Sequence, residues 1–276
     1  MITVVSPSYF WPETTLNMLP YLMEHVERCG RICYKSEERI TEGSAEKFVG
    51  RIRQNRHLSV LEHATITAVV ICSRAASHQL VRHRIASFSQ ESQRFCNYKR
   101  NFLRVICPPS IGLTPGDYPA CGTNSLTGRQ LRWMQHIESA YHEYKCELAE
   151  GVKPEDARYV LPNATKTELA VTFNLRQWRH VFVERALNKH AQWEIRGIFQ
   201  DILEALIKKL PAVFADLGQQ SSDEAAIDVL KALFEVRDLG DVAYDIRERY
   251  GEGWDGPLVT KWSDAVTRAR KLLDSK

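Results

Sequence analysis

Ala64-Thr65-Ile66-Thr67-Ala68-Val69-Val70-Ile71 is rich in β-branched residues and reads as a buried strand. The chain then turns to helical spacing, with Ala76, Leu80 and Val81 placed within Ser73–Arg84. A second strand is predicted at Thr165–Phe173, followed by helices at Arg176–Asn188 and Ala191–Leu210. Upstream, residues 15–28 and the basic stretch 44–56 carry helical spacing, and residues 129–150 form a long amphipathic helix with Leu131, Met134, Ile137, Tyr141 and Tyr144. Phe88 to Gln93 is polar and turn-like. Arg94 to Cys107 reads as one or two strands, ended by Pro108 and Pro109. Residues 108–128 hold four prolines and four glycines, so they read as a loop. Helices joined to a few strands predict an α+β fold. It would be one large domain, residues 1–218, with helices packed on a mixed or antiparallel sheet. After a polar break at Gln219–Asp223, helices at 223–236 and 260–273 would form a C-terminal extension, residues 219–276, of unassigned role.

The bulk numbers narrow the class. With 276 residues, 44% of them hydrophobic, the chain can bury one sizeable core. Its 37 basic residues nearly balance 34 acidic ones, for a net charge of +3, and no basic stripe marks a nucleic-acid binder. Any anion site must come from local clustering. The seven cysteines, Cys29, Cys33, Cys72, Cys96, Cys107, Cys121 and Cys146, form no C-x-x-C pair and have no histidine at zinc-finger spacing. They predict free thiols in a reducing cytosol and no metal site. No apolar run reaches the roughly 18–20 residues of a membrane span. Pro7, Pro12 and Glu13 stand where a secretion signal needs an apolar stretch. The expectation is a soluble, cytoplasmic protein.

Two constellations carry chemistry. The first is Arg82-His83-Arg84. On a helix, consecutive side chains point about 100° apart. Three in a row would fan across the helix rather than grip one small anion. One reading is a solvated basic helix end complementing the dipole. The other is a helix end serving two ligands, or one ligand and a second subunit. Ser87, Ser89, Gln90, Ser92, Gln93 and Arg94 follow as a dense run of donors, the groups that phosphate recognition uses. The second constellation is Asn174, Arg176, Arg179, His180 and Arg185. Arg176, Arg179 and His180 share a helix face, while Arg185 would lie about 180° from Arg176. Surface pairing of Arg176 and Arg179 with carboxylates such as Glu168 or Glu184 is the simpler alternative.

Arg82-His83-Arg84, seven residues and then Ser92 resemble the RHR-x7-S motif of the flavin-dependent thymidylate synthases. His57-Leu58-Ser59-Val60-Leu61-Glu62-His63 resembles that family's H-x-S/T-x-x-E-H element, although Ser-x-x-Glu is also a capping box. Arg185 with Ala191-Gln192-Trp193-Glu194-Ile195 resembles its C-terminal ligand segment, and Ala157-Arg158-Tyr159-Val160-Leu161-Pro162 its A-R-x-x-L-P element. The resemblance implies reductive methylation of dUMP to dTMP. Methylenetetrahydrofolate would donate the carbon, and FAD reduced by NADPH would supply the hydride. FAD would meet Ser59 (from a neighbouring subunit), Arg82, His83, Arg84, Gln90, Asn174, Arg176 and His180. The nucleotide would meet Gln79, Arg82, Gln90, Glu91, Ser92, Gln93, Arg94, Arg158 and Arg185. In relatives the position of Gln90 is often Glu.

By the same resemblance Arg185 is the catalytic candidate. It would stabilise negative charge as uracil N3 gives up its proton. Most relatives place this Arg five residues before the Ala of the Ala-Gln-Trp-Glu segment, and here the interval is six. The extra residue predicts a bulge or helix break after Arg185. Cys96 and Ser92 are weighed as nucleophiles. Cys96 reads as a plain thiol and Ser92 as a nucleotide ligand. The family forms homotetramers with active sites built from several subunits, so the resemblance implies that assembly and no nucleic-acid or membrane partner. The competing reading is an inactive relative that binds a nucleotide or nucleic acid.

Overall fold

Period-two alternation is cleanest at Lys166–Asn174, where Thr167, Leu169, Val171 and Phe173 are buried and the residues between them are half-buried. Ile66, Ala68, Val70 and Cys72 do the same in the strand beside it. Residues of this kind fit a pleated sheet with one covered face. The computed structural model describes residues 2–96, 98, 103–119 and 126–218. In chain order these residues form β1 (Ile2–Val5), β2 (Ser8–Phe10), α1 (Glu13–Met18), α2 (Leu22–Ile32), α3 (Ser44–Gln54), β3 (Thr65–Ser73), α4 (Arg74–Leu80) and β4 (Ser87–Gln90). Then come β5 (Leu103–Ile106), β6 (Gly116–Tyr118), α5 (Gly128–Ala149), α6 (Pro154–Ala157), β7 (Lys166–Asn174), α7 (Leu175–Val181) and α8 (Trp193–Lys209).

The strands form two sheets. An antiparallel sheet has the order β2-β3-β7-β4, and a smaller mixed sheet has the order β5-β1-β6. In the smaller one β1 runs parallel to β5 and antiparallel to β6. An antiparallel bridge between Val105 and Thr165 connects β5 to the residue before β7. The expected α+β class with helices against mixed and antiparallel strands is what the molecule adopts.

Each sheet has its own apolar cover. Ile2, Val4, Leu103 and Val105 pack with Met134, Ile137, Tyr141 and Tyr144 of α5, the stripe expected for residues 129–150 except Leu131, which is exposed. That helix opens on a capping box, with Thr127 and Gln130 bonding each other's backbone. The four-stranded sheet is covered by aromatic rings. Phe173 meets Trp178 edge-on at 4.9 Å, Trp178 stacks on Phe182 at 5.4 Å, and Phe199 of α8 closes on both. Trp178 is fully buried and its indole N–H donates to the Ile66 carbonyl at 3.1 Å, so its one polar atom is satisfied.

Several local expectations are corrected. The helix expected at 15–28 is two, α1 and α2, with a 3-10 turn at Leu19–Tyr21 where Pro20 lacks an N–H to continue the ladder. The turn-like reading of Phe88–Gln93 fails because Ser87–Gln90 is an edge strand on β7. Its serines carry little β signal; the ladder and the edge-on contact of Phe88 with Phe173 hold it. The loop expected at 108–128 contains β6, whose Asp117 accepts from Thr3 at 2.6 Å. Gln93–Phe95 are a turn, and strand within the expected 94–107 is described only at Leu103–Ile106.

The chain divides into two compact units, Met1–Val213 and Phe214–Lys276. Of the second, residues 214–218 are described and are helical. The polar break and the two helices expected from residue 219 onward lie outside the described residues. The aromatic cover makes the first prediction. Trp178→Ala should lower unfolding stability by about 3–5 kcal/mol in denaturant titration. A loss below about 1 kcal/mol would contradict this picture of the core.

Candidate active site

Both long strands run straight into helices through a polar cap. The Ser73 hydroxyl accepts from the Ala76 N–H at 3.1 Å to start α4, and the Asn174 side-chain Oδ1 accepts from the Gln177 N–H at 2.7 Å to start α7. Ser73 is itself held. The buried Glu194 carboxylate accepts its N–H at 2.5 Å and its hydroxyl at 2.7 Å. Burial pushes the Glu194 carboxyl above its ordinary value, and the Ser73 bonds pull it back. Gln192 caps α8 by accepting from Glu194 and Ile195 at 3.1 and 3.2 Å. The Ala191–Ile195 segment, which resembles the family's ligand segment, therefore also serves the fold. It caps one helix and pins the start of another.

Arg82, His83 and Arg84 do not lie on a helix. The helix α4 has seven residues and stops at Leu80, and the N–H groups of Arg82 and His83 turn back to the carbonyls of Gln79 and Leu80. The fan expected from helix geometry is corrected, because a turn does the separating. His83 points inward and is only 8% exposed, while Arg82 and Arg84 are exposed. Gln79 is half-buried on the last turn of α4. Among the described residues neither Arg82 nor Arg84 has a carboxylate partner.

Inside the turn, His83 sits between β7 and the helices that follow it. Its ring meets Phe173 edge-on at 6.4 Å and His180 at 6.2 Å. Its Nε2 accepts from the Arg185 Nε–H at 3.0 Å. Burial, then the Arg185 guanidinium and His180, hold the imidazole down to about 4, so it is neutral near pH 7. Arg185 lies in a π-helical turn, Phe182–Leu187, which corrects the single helix expected for 176–188. A π turn takes an i→i+5 bond in place of i→i+4. The backbone then leaves the helix at Asn188 before α8 begins. The bulge or break expected for the extra residue is thus present as both. Gln200 of α8, not singled out in the sequence, donates to the Ala186 carbonyl at 3.1 Å and ties the π turn down.

A second group gathers the donor-rich loop. The Gln90 amide nitrogen donates to Ser77 and Thr167 at 2.9 and 3.2 Å. The Glu91 carboxylate pairs with Lys166 at 3.4 Å and accepts from the Tyr98 hydroxyl at 3.3 Å. Lys166 also bonds Glu168. Ser92 closes a turn: its carbonyl accepts from Phe95 and Cys96, and its hydroxyl oxygen accepts from the Arg94 N–H at 3.3 Å. Gln93 is buried and Cys96 is exposed. Arg94 pairs with the Glu155 carboxylate at 2.7 Å, and Arg158 donates to the Glu155 carbonyl at 3.0 Å. Glu155 therefore brings together two cations 64 positions apart in the chain.

The third group joins two motifs. Leu58–His63 is a 3-10 turn with Ser59 exposed, and no side chain caps its start. The capping box weighed for Ser59 and Glu62 does not form. Glu62 pairs instead with Arg176 at 2.6 Å, which links this element to α7. The simpler alternative, surface pairing of Arg176 with a carboxylate, is met, although the partner is Glu62 and not Glu168 or Glu184. Arg179 donates to the Val213 carbonyl. The sequence reading missed Lys166 and Glu155, whose ion-pair partners Glu91 and Arg94 lie 75 and 61 positions away, and Tyr98, which bonds Glu91 seven positions before it.

The donor chemistry fits an anionic dinucleotide. Arg82 and Arg84 are exposed guanidiniums without carboxylate partners among the described residues, and Ser87 and Ser89 on the strand that follows, β4, are exposed as well.

Comparison with known proteins agrees. The family model described as thymidylate synthase complementing protein matches residues 17–212. The flavin-dependent thymidylate synthase of Geobacter sulfurreducens is 36% identical over 200 residues, covering 70% of this chain and 81% of that protein. The enzyme of the same name from Pyrococcus furiosus is 40% identical over 183 residues, covering 63% and 68%. A crystal structure of the UMP/dUMP methylase PolB from Streptomyces cacaoi, bound with 5-Br UMP, aligns with a TM-score of 0.60 at 22% identity, over 80% of this chain and 97% of that one. That likeness shows the fold. With its family model matched across residues 17–212 and relatives of this identity over most of their length, the chain belongs to the flavin-dependent thymidylate synthase family.

Proposed function

We propose that this protein converts dUMP to dTMP by reductive methylation, with methylenetetrahydrofolate as carbon donor and NADPH as reductant of a bound FAD. When bound, FAD supplies the hydride. The observation that carries the reading is the convergence, in a chain of this family, of Arg185 with the inward His83 of the Arg82–Arg84 turn.

The chain's own residues would act as follows. Arg82, His83, Arg84, Gln90, Asn174, Arg176 and His180 hold FAD, and Ser59 reaches it from a neighbouring subunit. Gln79, Arg82 and the loop Gln90-Glu91-Ser92-Gln93-Arg94 hold the nucleotide, with Arg158 beside Arg94. The pairing of Arg94 and Arg158 through Glu155 supports a shared phosphate contact. Arg185 lies at the pyrimidine. A guanidinium stays protonated, so it acts by charge and donation and not as a base. Placed beside uracil N3, it would stabilise the negative charge that develops there, an effect worth most in a water-excluded site.

Gathering three anionic ligands costs electrostatic repulsion, and the cations of the Arg82–Arg84 turn would offset it. Membership of the family implies a homotetramer, with active sites shared between subunits. The near-neutral net charge favours small ligands over nucleic acid. Among the described residues no helix is long and apolar enough to cross a membrane, and the six described cysteines are free thiols. Free thiols support work in the cytoplasm.

Two substitutions test the assignment. Arg185→Ala should reduce dTMP formation by about 10²–10³-fold or more while the flavin absorbance of the purified protein survives. Loss of flavin instead would refute the role given to Arg185. Arg82→Ala should weaken both FAD and dUMP, each by about tenfold or more, in equilibrium titrations. Unchanged affinity for both ligands would refute the shared contact.

A further inference from the structure

A guanidinium presents five N–H donors in a rigid fork. In Arg185 one of them, Nε–H, is committed to His83 Nε2 at 3.0 Å. The partner is a neutral ring. Arg94 and Arg176, by contrast, are held by the carboxylates of Glu155 and Glu62. A carboxylate on Arg185 would orient the fork but cancel most of the charge needed beside a developing anion. A neutral imidazole orients it and leaves that charge intact. The acceptor at Nε2 requires the proton on Nδ1, which fixes the tautomer.

We propose that His83 is a positioning residue for Arg185: by accepting from Nε it directs the two terminal amino groups of the guanidinium toward the pyrimidine. What lies opposite those amino groups rests on the function proposed above. The groups facing the His83 ring are the Phe173 ring on β7, His180 on α7, and Arg185 and Glu184 on the π turn. Arg185 and His180 oppose protonation of the ring, Glu184 favours it, and burial opposes it most. As pH falls through about 4, His83 gains a proton on Nε2, ceases to accept and repels the guanidinium.

The test uses the FAD-loaded full chain and two readouts. The first is a double-mutant cycle on dUMP affinity, measured by calorimetric titration. His83→Leu removes the acceptor at similar bulk, and His83→Gln returns an acceptor oxygen. His83→Leu should weaken dUMP about tenfold, His83→Gln should recover most of it, and His83→Leu should add little when Arg185 is already replaced by Gln. Equal weakening with and without Arg185 would overturn the proposal, because His83 would then act on the flavin or the fold alone. The second readout, independent of how the His83 variants fold, is the ¹⁵N spectrum of the imidazoles in wild type and Arg185→Gln. Wild-type His83 should be the Nδ1–H tautomer titrating near 4, with its pKa rising once the guanidinium is gone. A proton on Nε2 at neutral pH, or a titration indifferent to Arg185, would overturn the contact. A wild type that binds no dUMP overturns both readings. One that binds dUMP yet forms no dTMP overturns only the function.

Discussion

The ladder between β3 and β7 pairs nine residues of one strand with nine of the other, from Thr65 with Asn174 to Ser73 with Lys166. Everything chemical hangs on its two ends. One strand launches α4 at the Ser73 end, and the other launches α7 at the Asn174 end. The chain leaving α4 returns to the sheet as β4, with Ser87 opposite Thr172, near the end where α7 begins. The Arg82–Arg84 turn is therefore carried from one end of the ladder toward the other. That path brings His83 to Phe173, His180 and Arg185. A one-residue slip in the ladder would reverse every inward side chain, so the buried Ile66, Val70, Leu169, Val171 and Phe173 fix the register. Glu194 secures the Ser73 end from α8. Its burial costs solvation, and two hydrogen bonds to Ser73 offset that cost.

The cations of the molecule fall into two kinds. Arg94 and Arg176 are paired with carboxylates, which set the positions of a loop and a helix. Exposed pairs of this type add little stability. Their value lies in joining parts far apart in sequence. Arg82 and Arg84 have no carboxylate partner among the described residues, and Arg185 has a neutral one. These three keep their charge available. A site for several anions can use both kinds: carboxylate pairing fixes where Arg94 and Arg176 stand, and the cations without a carboxylate supply the excess positive charge.

Much of this was legible in the sequence, for physical reasons. β3 and β7 announced themselves through β-branched content, and α5 through its apolar stripe. The contact of His83 with Arg185 was not foreseen: the resemblance assigned His83 to FAD and Arg185 to the nucleotide, and no spacing joins two residues 102 positions apart. What failed had little local signal. Ser87–Gln90 is a strand because β7 supplies hydrogen bonds to its edge, not because serine and glutamine prefer one. Arg82–Arg84 continued a helical pattern by spacing, yet the short helix yields to the inward pull of a buried ring. The six-residue interval after Arg185 did foretell an irregular backbone, and the π turn with its exit at Asn188 supplies it. Glu194 and Gln192 sat in a segment read by resemblance as ligand-associated, and their hydrogen bonds to Ser73 and to the start of α8, which carry no local signal, add a structural role.

The proposed chemistry reduces to one geometric requirement: a single nucleotide lies between the Gln90–Arg94 loop and Arg185. A crystal structure of the protein with FAD and dUMP measures that arrangement outright. The dUMP phosphate should stand within hydrogen-bond distance of the Ser92–Arg94 turn and Arg158. The uracil ring should lie against the terminal amino groups of Arg185, with Nε still on His83. A nucleotide bound elsewhere, or an Arg185 turned away from the pyrimidine, would contradict it.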